Sequence, residues 1–277
     1  MTQNINCKGQ LINLSKPLVM GILNLTPDSF YDGGTLKSET QILTKVEQML
    51  KDGATFIDVG GYSSRPNATH IEMSEELNRV LPIVKLLLAE FPDILISVDT
   101  FRSEVADQCL KAGAAVINDI SAGNMDNNMF QVIRNHQVPY IMMHMVGTPQ
   151  NMQSQTTYKN LTQDINLYFS ERVEKARALG IVDLIIDPGF GFSKTTAQNF
   201  KLLNQLDDLK LLDLPILAGL SRKSMIYKTL EIEAKDALNG TTALNMIALQ
   251  KGSKILRVHD VKEASECITL FNQLQNN

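Results

Sequence analysis

The chain predicts a single (β/α)8 barrel of the TIM type, with its functional site at the C-terminal ends of the strands. Three observations carry this reading. Eight short apolar runs recur along the chain, helix-length periodic segments alternate with them, and nearly every run closes on a polar or glycine residue. The runs are 18–24, 56–60, 94–99, 116–119, 140–144, 184–187, 216–219 and 255–258. Each is mostly apolar at both parities, as expected of a strand buried on both faces of a parallel sheet.

The intervening segments read as helices in order. Ser38 and Gln41 form a capping-box pattern ahead of Ile42, Val46, Met49 and Leu50 at helical spacing, and Gly53 stops that helix. Leu77, Val80, Leu81, Val84, Leu87 and Leu88 make one face of a second helix. It is led by Ser74 and the acidic pair Glu75 and Glu76, which suits a helix N-terminus. Ser103 precedes Val105, Cys109 and Ala112, and Gly113 ends the third. A long helical stretch over 161–179 closes at Gly180. No Pro/Gly/Ser-rich linker divides the chain, so residues 1–277 read as one domain with a barrel core of about 16–275.

Composition excludes several classes. With 26 Lys plus Arg against 30 Asp plus Glu, the formal charge is −4, where a phosphate-gripping nucleic-acid binder is usually basic. There is no Trp, which disfavours a stacking platform for single strands. No uncharged apolar run approaches the roughly 20 residues that span a bilayer, and the first residues lack a secretory layout. Cys7, Cys109 and Cys267 are isolated, so a reducing cytoplasm without a zinc site is expected.

In a barrel the strand ends converge on one mouth. Those ends carry Asn24, the loop Gly60 to Pro66, Asp99, Asn118 and Asp119, His144, Asp187, the run Ser221-Arg-Lys-Ser224, and Arg257 with His259 and Asp260. Carboxylates stand at three or more ends, and a cationic cluster follows the seventh and eighth strands, the usual phosphate position of this architecture. The mouth should therefore hold a polar donor–acceptor edge deep inside and a phosphorylated group near the rim.

The blocks Met20-Gly-Ile-Leu-Asn24-Leu-Thr26-Pro-Asp28-Ser-Phe30, Asp58-Val-Gly-Gly61 with Arg65-Pro66, Val98-Asp99-Thr100, Asn118-Asp-Ile120, Met143-His144-Met145 with Gly147-Thr148-Pro149, Asp187-Pro-Gly-Phe-Gly-Phe192, Ser221-Arg-Lys-Ser224 and Arg257-Val-His259-Asp260 follow in order from about residue 18 to 260. Together they resemble the bacterial dihydropteroate synthases. The resemblance implies a transferase that joins p-aminobenzoate to a dihydropterin methyl diphosphate and releases pyrophosphate by dissociative, cation-like C–O cleavage.

It further implies pterin contacts from Asp99, Asn118, Asp187 and Lys223, diphosphate contacts from Asn24, Ser64, Arg257 and His259, and Mg2+ on Asn24. A p-aminobenzoate pocket follows from Arg65, Pro66, Phe192, Lys223 and Ser224. The loop 26–34, which includes Phe30, and the loop after the second strand would close over the site. Sulfonamides would be competitive inhibitors, and outer helices late in the barrel would form a homodimer. Chemistry agrees with these assignments: a carboxylate accepts two adjacent N–H groups of an aminopteridine edge, and Mg2+ takes few protein oxygens beside phosphate and water.

Blander readings stand beside them. Asp99 and Asp187 could cap the following helices, Asn24 could close a strand, His259 could be an interior histidine, and Phe192 could be core. The face over 241–249 and the last helix could equally pack on the barrel. His144 is expected to support the pocket, and His70 and His136 to lie at the surface. The chain departs from the family pattern at Tyr62, where a carboxylate is common, and at Ser193, where glycine is common. Competing functions are a methyltetrahydrofolate–corrinoid methyltransferase, which needs no diphosphate residues, and a non-catalytic pterin-binding barrel, which need not keep every mouth residue.

Overall fold

The computed structural model describes residues 4–25, 36–63 and 70–275, the side chains of 36–38 excepted. Two short antiparallel strands, β1 (Asn4–Cys7) and β2 (Gln10–Asn13), precede the barrel. The barrel strands are β3 (Leu18–Asn24), β4 (Phe56–Gly60), β5 (Leu95–Asp99), β6 (Val116–Asp119), β7 (Tyr140–Met143), β8 (Leu184–Asp187), β9 (Leu217–Ala218) and β10 (Ile255–Val258). They pair in parallel in the order β8-β7-β6-β5-β4-β3-β10-β9. A parallel bridge between Ile186 and Ile216 joins β8 to the residue before β9 and closes the ring. The expected (β/α)8 barrel is the fold.

Around it run α1 (Leu36–Lys51), α2 (Met73–Glu90), α3 (Ser103–Ala112), α4 (Met129–His136), α5 (Leu161–Ala178), α6 (Thr196–Asn204), α7 (Ser224–Tyr227), α8 (Leu238–Gln250) and α9 (Val261–Gln275). On α5 the buried residues Leu161, Ile165, Phe169, Val173 and Ala176 recur at helical spacing and face the strands. Gly113 ends α3 at φ +116, with its N–H on the carbonyls of Cys109 and Leu110. Among the described residues no helix is long and apolar enough to cross a membrane.

Strand parity divides the interior. Alternate residues such as Val19, Leu23, Ile57, Val59, Ile96 and Ile117 point outward into the layer shared with the helices. The other parity points inward, and its lowest ring holds one side chain per barrel strand: Met20, Phe56, Leu95, Val116, Ile141, Ile185, Leu217 and Ile255. Ile5, Cys7, Ile12 and Leu14 pack against that ring, so the β1–β2 hairpin is the floor of the barrel. The core therefore reaches below residue 16. Lys8 (φ 56) and Gly9 (φ 85) form the two-residue hairpin turn, and Asn6 Oδ1 accepts the Gly9 N–H at 2.8 Å.

Several boundaries differ from expectation. Strand β7 ends at Met143, although His144 N–H still bonds the Asp187 carbonyl. Strand β9 is two residues long, Leu217–Ala218, and the Ile216 carbonyl before it accepts the Lys254 and Ile255 N–H groups. Helix α1 begins at Leu36, which puts Ser38 within its first turn rather than ahead of it. The capping box sits instead at α6, where Thr195 and Gln198 cap each other.

Candidate active site

Above the apolar floor, the inward parity turns polar. Cα register aligns Asn24 with Gly60, Gly60 with Asp99, and Asp99 with Asn118 across four neighbouring strands. One layer below, Ile22 aligns with Asp58 and Asp58 with Ser97. Gly60 matters by what it lacks: a Cβ there would stand 3.3 Å from Asp99 Cβ. On the opposite wall Lys223, Asp187 and Arg257 converge round Gly219, whose Cβ position lies 3.6 to 4.0 Å from all three. Of the residues named from sequence, Asp99, Asn118, Asp187, Lys223 and Arg257 thus share one cup, with Asn24 in the same register row, whereas Asp119 bonds Tyr140 on the outer side of its strand.

Asp58, which sequence reasoning gave no role, is the hub of that cup. It is fully buried. Its Oδ2 accepts from Arg257 Nε at 2.6 Å and from Asn118 Nδ2 at 3.1 Å. Arg257 Nη2 donates to Asp99 Oδ2 at 2.7 Å, so one guanidinium bridges two carboxylates. Burial opposes the charge on Arg257, but Asp58 and Asp99 outweigh it and its pKa rises. Burial lifts Asp99 to about 7 against the pull of Arg257, with Asp58, Glu76 and Asp119 adding to the rise.

Asp187 is also raised by burial, which Lys223 opposes. One oxygen, Oδ1, accepts the Gly189 N–H at 2.8 Å and so does perform the turn-closing role of a strand-end carboxylate. Lys223, lowered to about 8 by burial with Asp187 opposing, donates to the Phe190 carbonyl and lies 5.0 Å from the Phe192 ring centre. Phe192 joins Tyr62 and Met125 at the edge of a small apolar cluster of Phe101, Ile120, Met143, Met145 and Met152. Ser224 opens α7 beside Lys223.

The loop after β8 is wrapped on a second lysine. Lys194 Nζ, 5% exposed, donates to the Gly189 carbonyl, the Phe192 carbonyl and His144 Nδ1, each at 3.0 Å. Burial brings this lysine down to about 7, with Lys223 adding and Asp187 opposing. His144, 2% exposed, is held well below the usual histidine range by burial and then by Lys194, in keeping with a supporting role. Ser193 adopts φ +51, a conformation glycine takes freely. Its hydroxyl accepts from the Val146 N–H at 2.9 Å and donates to the Val146 carbonyl at 2.8 Å. The serine ties the loops after β7 and β8 together and offsets the strain of its own backbone.

Tyr62 has a comparable local function. Its hydroxyl accepts from Gln150 Nε2 at 2.8 Å and lies 3.2 Å from His70 Nδ1, and its ring meets Phe101 edge-on at 5.1 Å. Ring packing supports the loop after β4. Arg102, paired with buried Glu76 at 2.7 Å, also donates to the Ile71 carbonyl, while Arg79 donates to the Gly61 carbonyl. Both stems of that loop are therefore pinned. Ser64, Arg65 and Pro66, and Phe30 on the preceding loop, lie outside the described residues.

His259 stands exposed one residue beyond β10, not in the interior. His70 is exposed, as expected, whereas His136 is half-buried against Asp107 at 2.8 Å. Arg222 corrects the expected cationic cluster: its guanidinium turns to Asp260 and away from the cup. Among the described residues no group of three or more His, Cys, Asp or Glu forms a metal centre. The single amide oxygen of Asn24 at the rim fits an ion that takes its other ligands from phosphate and water.

The chain is similar to known proteins over most of its length. The family model of pterin binding enzymes matches residues 20–259. The chain is 45% identical over 259 residues to the dihydropteroate synthase of a Synechocystis species, covering 92% of this chain and 89% of that one. The crystal structure of the Yersinia pestis dihydropteroate synthase with a sulfonamide drug complex superimposes with a TM-score of 0.92 at 40% identity, over 99% of this chain and 100% of that one. The Xanthomonas albilineans dihydropteroate synthase with 4-aminobenzoic acid does so at 0.92 and 36% identity, over the full length of both.

Proposed function

This chain belongs to the dihydropteroate synthases, pterin-binding transferases of folate biosynthesis, and we propose a division of labour among its residues for that reaction. The electrophile is the pterin methylene carbon. The diphosphate leaves with the C–O bond electrons, the carbon becomes cation-like in conjugation with the ring, and the arylamine nitrogen then bonds to it and loses a proton. No covalent enzyme intermediate is needed, so the tasks are positioning and charge stabilisation.

Asp187, Asn118 and Asp99 read the donor–acceptor edge of the pterin, and the buried carboxylates favour the cationic ring. Lys223 contacts the ring from its place beside Asp187 and Phe192. Arg257, His259, Asn24 and Ser64 hold the diphosphate. Arg257 is steered by Asp58 and Asp99 through Nε and Nη2, and Nη1 is the group that would reach a phosphate oxygen. Mg2+ held at Asn24 supplies neutralisation of diphosphate charge when bound. Phe192, Lys223 and Ser224, with Arg65 and Pro66, form the p-aminobenzoate pocket, where sulfonamides would compete. Three free, buried cysteines suit a cytoplasmic enzyme. The chain works as one domain over residues 1–277, and the exposed Ile247 of α8 and Leu270 of α9 suit a homodimer contact.

The observation that carries this reading is the register row from Asn24 through Asp99 to Asn118, faced by Asp187 and Lys223 across the barrel mouth. It is tested by supplying purified protein with dihydropterin diphosphate and Mg2+, with and without p-aminobenzoate. Pyrophosphate and dihydropteroate should form one to one, only with the arylamine present. Binding of the pterin diphosphate without arylamine-dependent product would contradict the reading.

A further inference from the structure

His259 lies on an exposed turn past the end of β10, yet a phosphate contact needs a fixed donor. Two neighbouring pairs fix it. Ser221 Oγ lies 3.0 Å from His259 Nδ1 and accepts the His259 backbone N–H at 3.1 Å. Next to it, Arg222 forks onto Asp260, with Nε to Oδ2 and Nη2 to Oδ1 both at 2.8 Å. The remaining nitrogen, Nη1, donates to the carbonyls of Ala234 and Lys235. All three guanidinium nitrogens are thus engaged and the charge is matched by a carboxylate, so Arg222 is not itself placed to take an anion.

The base of this fork is anchored. Arg222 adopts φ +53, a left-handed conformation that a non-glycine residue holds only when its surroundings over-determine it. Its N–H donates to Thr241 Oγ1 at 3.0 Å, and that buried hydroxyl donates to the Ala237 carbonyl at 2.8 Å. A continuous chain of hydrogen bonds therefore runs from α8 through Arg222 and Asp260 to the turn that carries His259.

We propose that Arg222 and Asp260 are a positioning pair for diphosphate binding, locking the loop after β9 to the turn after β10 so that His259 is presented at the rim. The proposal rests on the diphosphate reading of His259. The arginine acts through its neighbour and is not a catalytic residue.

The test measures equilibrium binding of three ligands to the full-length protein and to the Arg222→Met and Asp260→Asn variants. The ligands are dihydropterin diphosphate, the corresponding phosphate-free dihydropterin alcohol, and inorganic pyrophosphate with Mg2+. Loss of one charged hydrogen bond's worth of alignment predicts about tenfold weaker binding of both phosphate-bearing ligands, with the alcohol within about twofold of the parent protein. Unchanged binding of the diphosphate would overturn the proposal. Equal weakening of all three ligands would also overturn it, because a general loss of structure does not discriminate phosphate. If the unmodified protein binds the alcohol as well as the diphosphate, the diphosphate reading fails first and the positioning role falls with it. That outcome is visible before any variant is made.

Discussion

Replacing Lys194 by Met removes the buried ammonium round which the loop after β8 is folded, while keeping an unbranched apolar stem of similar length. Three acceptors 3.0 Å from Nζ lose their donor: the Gly189 and Phe192 carbonyls and His144 Nδ1. An unsatisfied buried polar group costs about 1–3 kcal/mol. Against this, the variant no longer buries a charge. Lys194 titrates at about 7 in the folded chain against an ordinary 10.5. The unfolded chain therefore binds more protons between those values, and the stability of the parent protein rises with pH across that window.

The slope from one such group is at most about 1.4 kcal/mol per pH unit, so on the order of 3 kcal/mol accrues between pH 7.5 and 9.5. The Met variant lacks this gain. Urea unfolding of both proteins at pH 6.5, 8 and 9.5, read as a difference, cancels most of the tyrosine contribution. The stability of the parent protein minus that of the variant should increase steadily from pH 6.5 to 9.5. Parallel curves would show that Lys194 is not a buried, depressed ammonium, and the account of this loop would fail.

Asp58→Asn keeps the shape of the hub but removes the charge that Arg257 and Asn118 share. Relative to the 3–5 kcal/mol of a fully broken buried ion pair, Asp99 still holds the guanidinium, so a loss of about 2–3 kcal/mol in chemical unfolding is expected; a change under about 0.5 kcal/mol would contradict the hub. Pterin binding should release protons near neutrality, because Asp99, at about 7 in the free protein, must be ionised to accept two N–H donors. Affinity should rise with pH from about 5.5 to 7.5 and then level off, and calorimetry in buffers of different ionisation enthalpy should show the released proton; uptake instead of release would reverse the assignment. Ser193→Gly relieves a strained φ of +51 but deletes both bonds to Val146. A net loss of about 1 kcal/mol is expected by thermal unfolding, and a stabilised variant would mean that the tie contributes nothing.

The barrel was legible because a strand buried on both faces must be apolar at both parities, and a polar residue that interrupts such a run at its end has few places to go but the mouth. Asn24, Asp99, Asn118, Asp187 and Arg257 could be read for that reason. Asp58 was not assigned because it lies inside its strand, where only the inward parity shared with Phe56 and Gly60 marks it. The β1–β2 hairpin escaped because its strands are four residues each and its turn is Lys8-Gly9, without an Asn-Gly or Asp-Gly signal. Arg222 illustrates a different gap. Sequence shows a positive charge after β9 but not its direction, and only the left-handed backbone and Asp260 reveal that the guanidinium faces away from the cup. The Lys194–His144 contact joins residues fifty positions apart, and no local pattern predicts it.

The most direct test of the central claim is the affinity of a phosphate-free dihydropterin for the parent protein and for Asp187→Asn. If Asp187 is the anionic partner of the pterin edge, an amide there sets N–H against N–H and leaves a buried donor unpaired. The loss should be on the order of a hundredfold, about 2.7 kcal/mol. Binding within about twofold of the parent protein would place the pterin elsewhere and contradict the site.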